Sequence, residues 1–100
     1  MPVTTVPVSV VVVTYNSASI VRDAVHSIDP RAEIIVVDND STDETIERLR
    51  GAKVRVIRND RNVGFGRACN IGAAQCARPF LFFLNPDARL RPDALDGLIR

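Results

Sequence analysis

The sequence predicts a three-layer α/β/α sandwich around a mostly parallel sheet. Three observations carry that reading. Short β-branched apolar runs alternate with segments of helical spacing in the order βαβαβαβ, followed by the start of a further helix. The first run, Val6 to Thr14, is too uniformly apolar for a strand with one wet face, and it reads as a central parallel strand covered on both sides. Polar clusters close the runs: Thr14-Tyr15-Asn16, Asp38-Asn39-Asp40, Asn59-Asp60 and Asn85-Pro86-Asp87. In parallel sheets joined by right-handed crossovers, ligands bind beyond the carboxyl ends of the strands, where these clusters fall.

The elements follow in order. Asn16-Ser17-Ala18-Ser19 supplies residues suited to a helix N-cap, and Ile20, Val21, Ala24, Val25 and Ile28 then recur at helical spacing until Asp29-Pro30. Glu33 to Val37 is a second strand. Ser41-Thr42-Asp43-Glu44 has the form of a capping box and predicts a helix striped by Ile46 and Leu49, ending at Gly51. Val54 to Ile57 is a third strand, and a polar loop runs from Asn59 to Gly66. A helix of small residues, roughly 67–77, comes next. Phe80 to Leu84 is the fourth strand, and Pro92 opens a last helix whose Leu95, Leu98 and Ile99 share a face.

Composition bounds the function. The 100 residues are 46% hydrophobic and 25% charged, which suits one small globular domain and excludes a disordered tail, a collagen-like chain and a disulfide scaffold. A net charge of +1 argues against a general nucleic-acid or membrane-surface binder. No apolar run approaches the ~20 residues of a membrane span, and the N-terminus has no secretory pattern. A cytoplasmic protein is expected, with Cys69 and Cys76 as reduced, buried thiols.

The fold class raises a dinucleotide first. The first strand-to-helix turn, Thr14 to Ser17, has no glycine, however, and the lone Gly64-Phe65-Gly66 follows the third strand. No glycine-lysine pair marks a P-loop. A nucleotide joined to a sugar through a diphosphate fits better. Asp38 could accept hydrogen bonds from a base or a ribose, or merely cap the loop before Ser41. Asp87, with Asn85 as a neutral oxygen donor, could hold Mg²⁺ or Mn²⁺, which would neutralise charge on a leaving diphosphate. Arg67 could add a phosphate contact or be a solvated helix start. Tyr15 is open between a nucleotide contact and a core-edge ring, and His26 reads as a surface or boundary histidine.

Four blocks in order resemble the family 2 glycosyltransferases of the GT-A fold: Val10 to Asn16, Ile34 to Asp43, Asn62 to Gly72, and Phe82 to Asp87. They cover nearly the whole chain. The resemblance implies that residues 1–100 are the N-terminal, nucleotide-sugar-binding part of an inverting, metal-dependent transferase. It implies that Thr14, Tyr15, Asn16, Asp38, Asn39, Asp40, Gly64, Arg67 and Asn85 surround the donor, with Asp87 and Asn85 at the metal. Asn85 stands where the family commonly has Asp, a version similar to enzymes using dTDP-rhamnose. Asp40 replaces a usually small residue.

The family's catalytic base and its saccharide or lipid-linked acceptor pocket are expected beyond Arg100, so this chain alone is expected not to catalyse transfer. Synthesis of cell-surface polysaccharide at the inner face of a membrane, with peripheral association of the full enzyme, is the corresponding expectation. So is homo-oligomerisation through apolar surface left open by a partial domain. Two other readings stand beside it. A sugar nucleotidyltransferase would need a glycine-rich, basic loop after the first strand, and a non-catalytic folding or interaction module would bind no nucleotide diphosphate.

Overall fold

The structure is a computed structural model that describes residues 5–88. Strands β1 (Val8–Thr14), β2 (Glu33–Asp38), β3 (Arg55–Arg58) and β4 (Phe80–Leu84) form one sheet in the order β3-β2-β1-β4, with every neighbouring pair parallel. Helix α1 (Val21–His26) and a 3-10 turn at Glu47–Leu49 lie on one face, and helix α2 (Phe65–Ala74) lies on the other. The α/β class and the central position of the first strand are as the sequence predicts.

Strand alternation divides the core in two. Val8, Val10 and Val12 of β1 point with Ile34, Val36 and Leu84 toward Val21, Val25 and Ile28 of the first helical segment and toward Leu49. Val11 and Val13 point with Ile35 and Val37 toward Ala68 and Cys69 of α2. All seven residues of β1 are buried. Each fully buried valine contributes roughly 1.5–3 kcal/mol, so this strand is the main apolar anchor of the fold. Both cysteines are free: Cys69 is buried and Cys76 partly so, and burial raises the pKa of each thiol.

Three elements depart from the sequence reading. The helix expected after Ser41 shrinks to the 3-10 turn, because Ser41, Asp43 and Thr45 spend their side chains on the neighbouring loop instead of on a helical first turn. Helix α1 starts only at Val21 and has no side-chain cap, since Ser17 turns back to bond the Tyr15 carbonyl. Helix α2 starts at Phe65, earlier than expected, after Gly64 at φ 87°. The helix predicted from Pro92 lies outside the described residues.

Helix α2 packs over β1 and β2. The same face of the edge strand β4 shows Leu81 and Phe83, both exposed, and Phe80 is exposed on the opposite face. A single glycine sets how closely α2 approaches the sheet. A Cβ at Gly72 would stand 2.6 Å from Val11 Cγ1 and 3.0 Å from Val37 Cγ2. A Cβ at Gly66, in the same helix, would meet nothing within 4 Å. Gly72→Ala is therefore expected to lose about 1–3 kcal/mol to overpacking, more than the roughly 1 kcal/mol that alanine returns in helix propensity. Gly66→Ala is expected to be neutral or stabilising. Urea denaturation of the two variants checks the contrast, and equal midpoints would show that the close approach carries no energetic weight.

Candidate functional site

The carboxyl ends of β2, β1 and β4 lie side by side, with β1 in the middle. Thr14 is in register with Asp38, and Val12 with Leu84, so the segments that leave the strands emerge along one rim. With neighbouring strands about 4.8 Å apart, the ends of β2 and β4 stand roughly 10 Å from one another. The chain order reverses at β1, the position at which open α/β sheets form a ligand crevice.

The rim is organised by one buried carboxylate. Asp38 is fully buried. Its Oδ1 accepts the Thr14 hydroxyl at 2.7 Å and the Ser41 hydroxyl at 2.6 Å, and its Oδ2 accepts the Ser41 backbone N–H at 2.9 Å. Ser41 Oγ in turn accepts the Asn16 N–H at 2.8 Å. The backbone carries the same link, because Asn39 N–H donates to the Thr14 carbonyl and Asn59 N–H to the Asp38 carbonyl, both at 2.8 Å. Asp38 thus ties the ends of β1 and β2 to the loops that follow them.

Two further amide side chains extend the network. Asn16 sits in the left-handed region at φ 48°, and its Oδ1 accepts the Thr42 N–H at 2.8 Å and the Asp43 N–H at 3.3 Å. Asn39, also buried, accepts Asn59 Nδ2–H at 2.9 Å and donates from its own Nδ2 to the Gly64 carbonyl at 3.2 Å. The start of α2 is thereby fastened to the end of β2. Asp43 accepts the Ala18 and Thr45 N–H groups and the Thr45 hydroxyl. The Thr45 hydroxyl bond leads the causes that hold its carboxyl below the ordinary value.

These contacts revise the sequence reading of several residues. Asp38 does not fit as an acceptor for a base or ribose, because three internal donors already occupy its carboxylate and no solvent reaches it; the capping alternative is the one observed. Thr14 and Asn39 are likewise buried and committed internally. The exposed part of the predicted set is Tyr15, Asn16, Gly64, Arg67, Asn85 and Asp87, with Asp40 half-buried. Tyr15 is 52% exposed, so its ring is not core. Asp40 lies at φ 62°, a left-handed turn that aspartate tolerates. Sequence reasoning missed Thr45, and it gave the Asp38–Ser41 link only as an alternative. The spacing that favours the link is Asp-x-x-Ser, in which a carboxylate accepts the N–H three residues on.

Asn85 and Asp87 stand on a tight turn closed by the Ala88 N–H to the Asn85 carbonyl at 3.0 Å. Both side chains are exposed, and neither makes a hydrogen bond or ion pair among the described residues. One carboxylate and one amide oxygen suit a hard cation that completes its shell with phosphate oxygens and water. Among the described residues no group of three His, Cys, Asp or Glu side chains could hold a metal unaided.

The family described as Glycosyl transferase family 2 matches residues 9–100. The succinoglycan biosynthesis protein ExoO of Rhizobium meliloti is 34% identical over 99 residues, covering 92% of this chain and 28% of that protein. A mannosyltransferase of Pyrobaculum calidifontis, solved with GDP-Man and Mn²⁺, superposes with a TM-score of 0.79 at 24% identity, over 89% of this chain and 30% of that one. The glucosyl-3-phosphoglycerate synthase of Mycobacterium tuberculosis, solved with Mn²⁺, UDP and glucosyl-3-phosphoglycerate, superposes with a TM-score of 0.77 at 25% identity, over 92% of this chain and 38% of that one. This chain spans about three tenths of the length of the curated relative.

Two outcomes follow from the network. Asp38→Ala is expected to cost about 2–4 kcal/mol, since it strands two hydroxyls and a backbone N–H; a urea midpoint equal to that of the parent chain would refute the hub role. Asp29, Glu33 and Asp43 have lowered pKa values. Arg31, the Ala77 N–H and the Thr45 hydroxyl are the respective leading causes. Carboxyls depressed on folding add stability that is complete above their unfolded values, near pH 4, and is lost as pH falls through the folded values. Stability should hold from pH 7 to about pH 5 and decline below about pH 4, with a shallower decline in Asp43→Asn. Thermal melts across that range check the slope.

Proposed function

The chain belongs to glycosyltransferase family 2, and from that premise we propose that it is the donor-binding part of an inverting transferase that takes a nucleotide-diphospho-sugar with Mn²⁺ or Mg²⁺. The observation that carries the reading is the rim itself. The exposed Tyr15 follows β1 and the uncommitted Asp87 follows its neighbour β4, while the cationic Arg67 lies in the first turn of α2, whose start Asn39 ties to the end of β2.

The division of labour follows from burial. Asp38, Asn39, Thr14 and Ser41 hold the loops in place. Tyr15 offers a ring face to the base, Asn16 and Gly64 shape the loops around the donor, and Arg67 meets phosphate charge. Asp40 faces the β2 end of the site, and Asn85 and Asp87 hold the cation. When bound, that cation neutralises the charge that develops on the leaving diphosphate. In the transfer itself an acceptor hydroxyl oxygen bonds the anomeric carbon as the bond to the diphosphate breaks, and the hydroxyl proton passes to a carboxylate base. The proposal places that base and the acceptor pocket beyond Arg100, so the chain alone binds donor without useful turnover.

The finer reading is a dTDP-rhamnose donor, suggested by Asn85 at the first metal position, and a role in cell-surface polysaccharide synthesis in the cytoplasm or at the inner face of a membrane. The likeness to a succinoglycan biosynthesis protein supports the polysaccharide part.

Titration calorimetry with dTDP, UDP and GDP, each with and without Mn²⁺, tests the proposal. One nucleotide is expected to bind in a metal-dependent way, and Asp87→Ala is expected to remove the metal's contribution, about tenfold or more in affinity. Equal, feeble and metal-independent responses to all three would favour the inert-module reading and overturn this one.

A further inference from the structure

At the other end of the sheet, between the amino ends of β2 and β3, lies a cavity of about 360 Å³. Its charged lining is Arg31, Lys53, Arg55 and Arg78 against the single carboxylate of Glu33. We infer that this cavity is a binding site for a phosphate-class oxyanion, contacted by Lys53, Arg55 and Arg78.

The cations are not equivalent, and their differences support the assignment. Arg31 is matched already: its Nη2 lies 2.7 Å from Asp29 Oδ2 and its Nε 3.1 Å from Oδ1. Arg78 is half-buried, and its Nη1 donates to the carbonyls of Val6 and Arg31, leaving Nε and Nη2 without an acceptor among the described residues. A guanidinium fixed by carbonyls before a ligand arrives loses little freedom on binding. Arg55 donates one N–H to Gln75 Oε1 at 2.9 Å and is otherwise exposed. Lys53 is exposed and has no partner among the described residues.

Glu33 is ionised and offsets only one of these charges. Its Oε1 already accepts the Ser9 hydroxyl at 2.6 Å and the Ala77 N–H at 2.9 Å. Those two bonds, in the order Ala77 then Ser9, lead the causes that depress its pKa, with the charges of Arg78 and Arg55 adding to them. Besides the paired Arg31, three cations line the recess against one carboxylate, a surplus of positive charge in a chain whose net charge is only +1. A doubly charged tetrahedral anion, with oxygens enough for a guanidinium fork and an ammonium, matches that surplus better than a single carboxylate does. A smaller depression of about 220 Å³ adjoins it, sharing Pro30, Ile34, Ala52 and Lys53, and offers an apolar wall for the organic part of a phosphate ester.

Amide chemical-shift titration of the full chain with inorganic phosphate, at constant ionic strength, tests the site. Saturable shifts are expected at Lys53, Arg55 and Arg78, and the surface double variant Lys53→Ala/Arg55→Ala should weaken binding at least tenfold with its melting temperature retained. Flotation with phosphatidylglycerol vesicles, against phosphatidylcholine vesicles, separates the sources. Flotation that the double variant abolishes, together with the phosphate response, identifies a lipid headgroup; a phosphate response without flotation identifies a soluble ester. Absence of saturable shifts, shifts confined to the carboxyl-end loops, or equal affinity in the double variant would each overturn the inference. So would vesicle binding without a phosphate response.

Discussion

A carboxylate sealed from water at the end of β2 is the constraint on which the site depends. A buried anion is costly unless its lone pairs are met, and Asp38 meets its own with the Thr14 hydroxyl and with the hydroxyl and backbone N–H of Ser41. Satisfying that one group requires Thr14, Ser41 and the turn between β2 and Ser41 to adopt a single arrangement. The Asn16 N–H then follows through Ser41 Oγ, and the Asn39 and Asn59 amides follow through the strand ends. The rim is pre-formed by this requirement, while the apolar core beneath it settles only the positions of the strands.

Much of the fold was legible in the sequence because its strongest signals are local. The run around Val10 to Val13 has a composition found in a doubly covered strand, and β4 occupies the residues its aromatic pattern indicates. Helix limits were less legible. Ser41 to Glu44 has the letters of a capping box, yet Ser41 bonds Asp38 and Asn16, residues that only the folded sheet brings near. Long-range demand for a hydroxyl overrode a local preference, and the helix shortened to a 3-10 turn. The same cause explains the site residues. Asp38 and Asn39 attract notice as polar groups at a strand end, but residue type alone does not say whether such a group faces a ligand or supports those that do. Burial separates the two classes, and burial is a tertiary property.

The exposed polar groups at this rim are few, and they come from the loop after β1, the start of α2 and the turn after β4. Exposed polar groups are spread over three short segments, and the interlocked polar groups beneath them hold those segments in place.

Gly72 has a bearing on motion as well as on packing. A helix whose backbone lies against Val11 and Val37 with no intervening side chain is meshed with the sheet, and it cannot slide or tilt without opening a void on one flank or a clash on the other. The sheet and α2 therefore behave as one stiff plate. Whatever shape change accompanies occupancy is left to the connecting segments, and its amplitude is bounded by the length of those tethers.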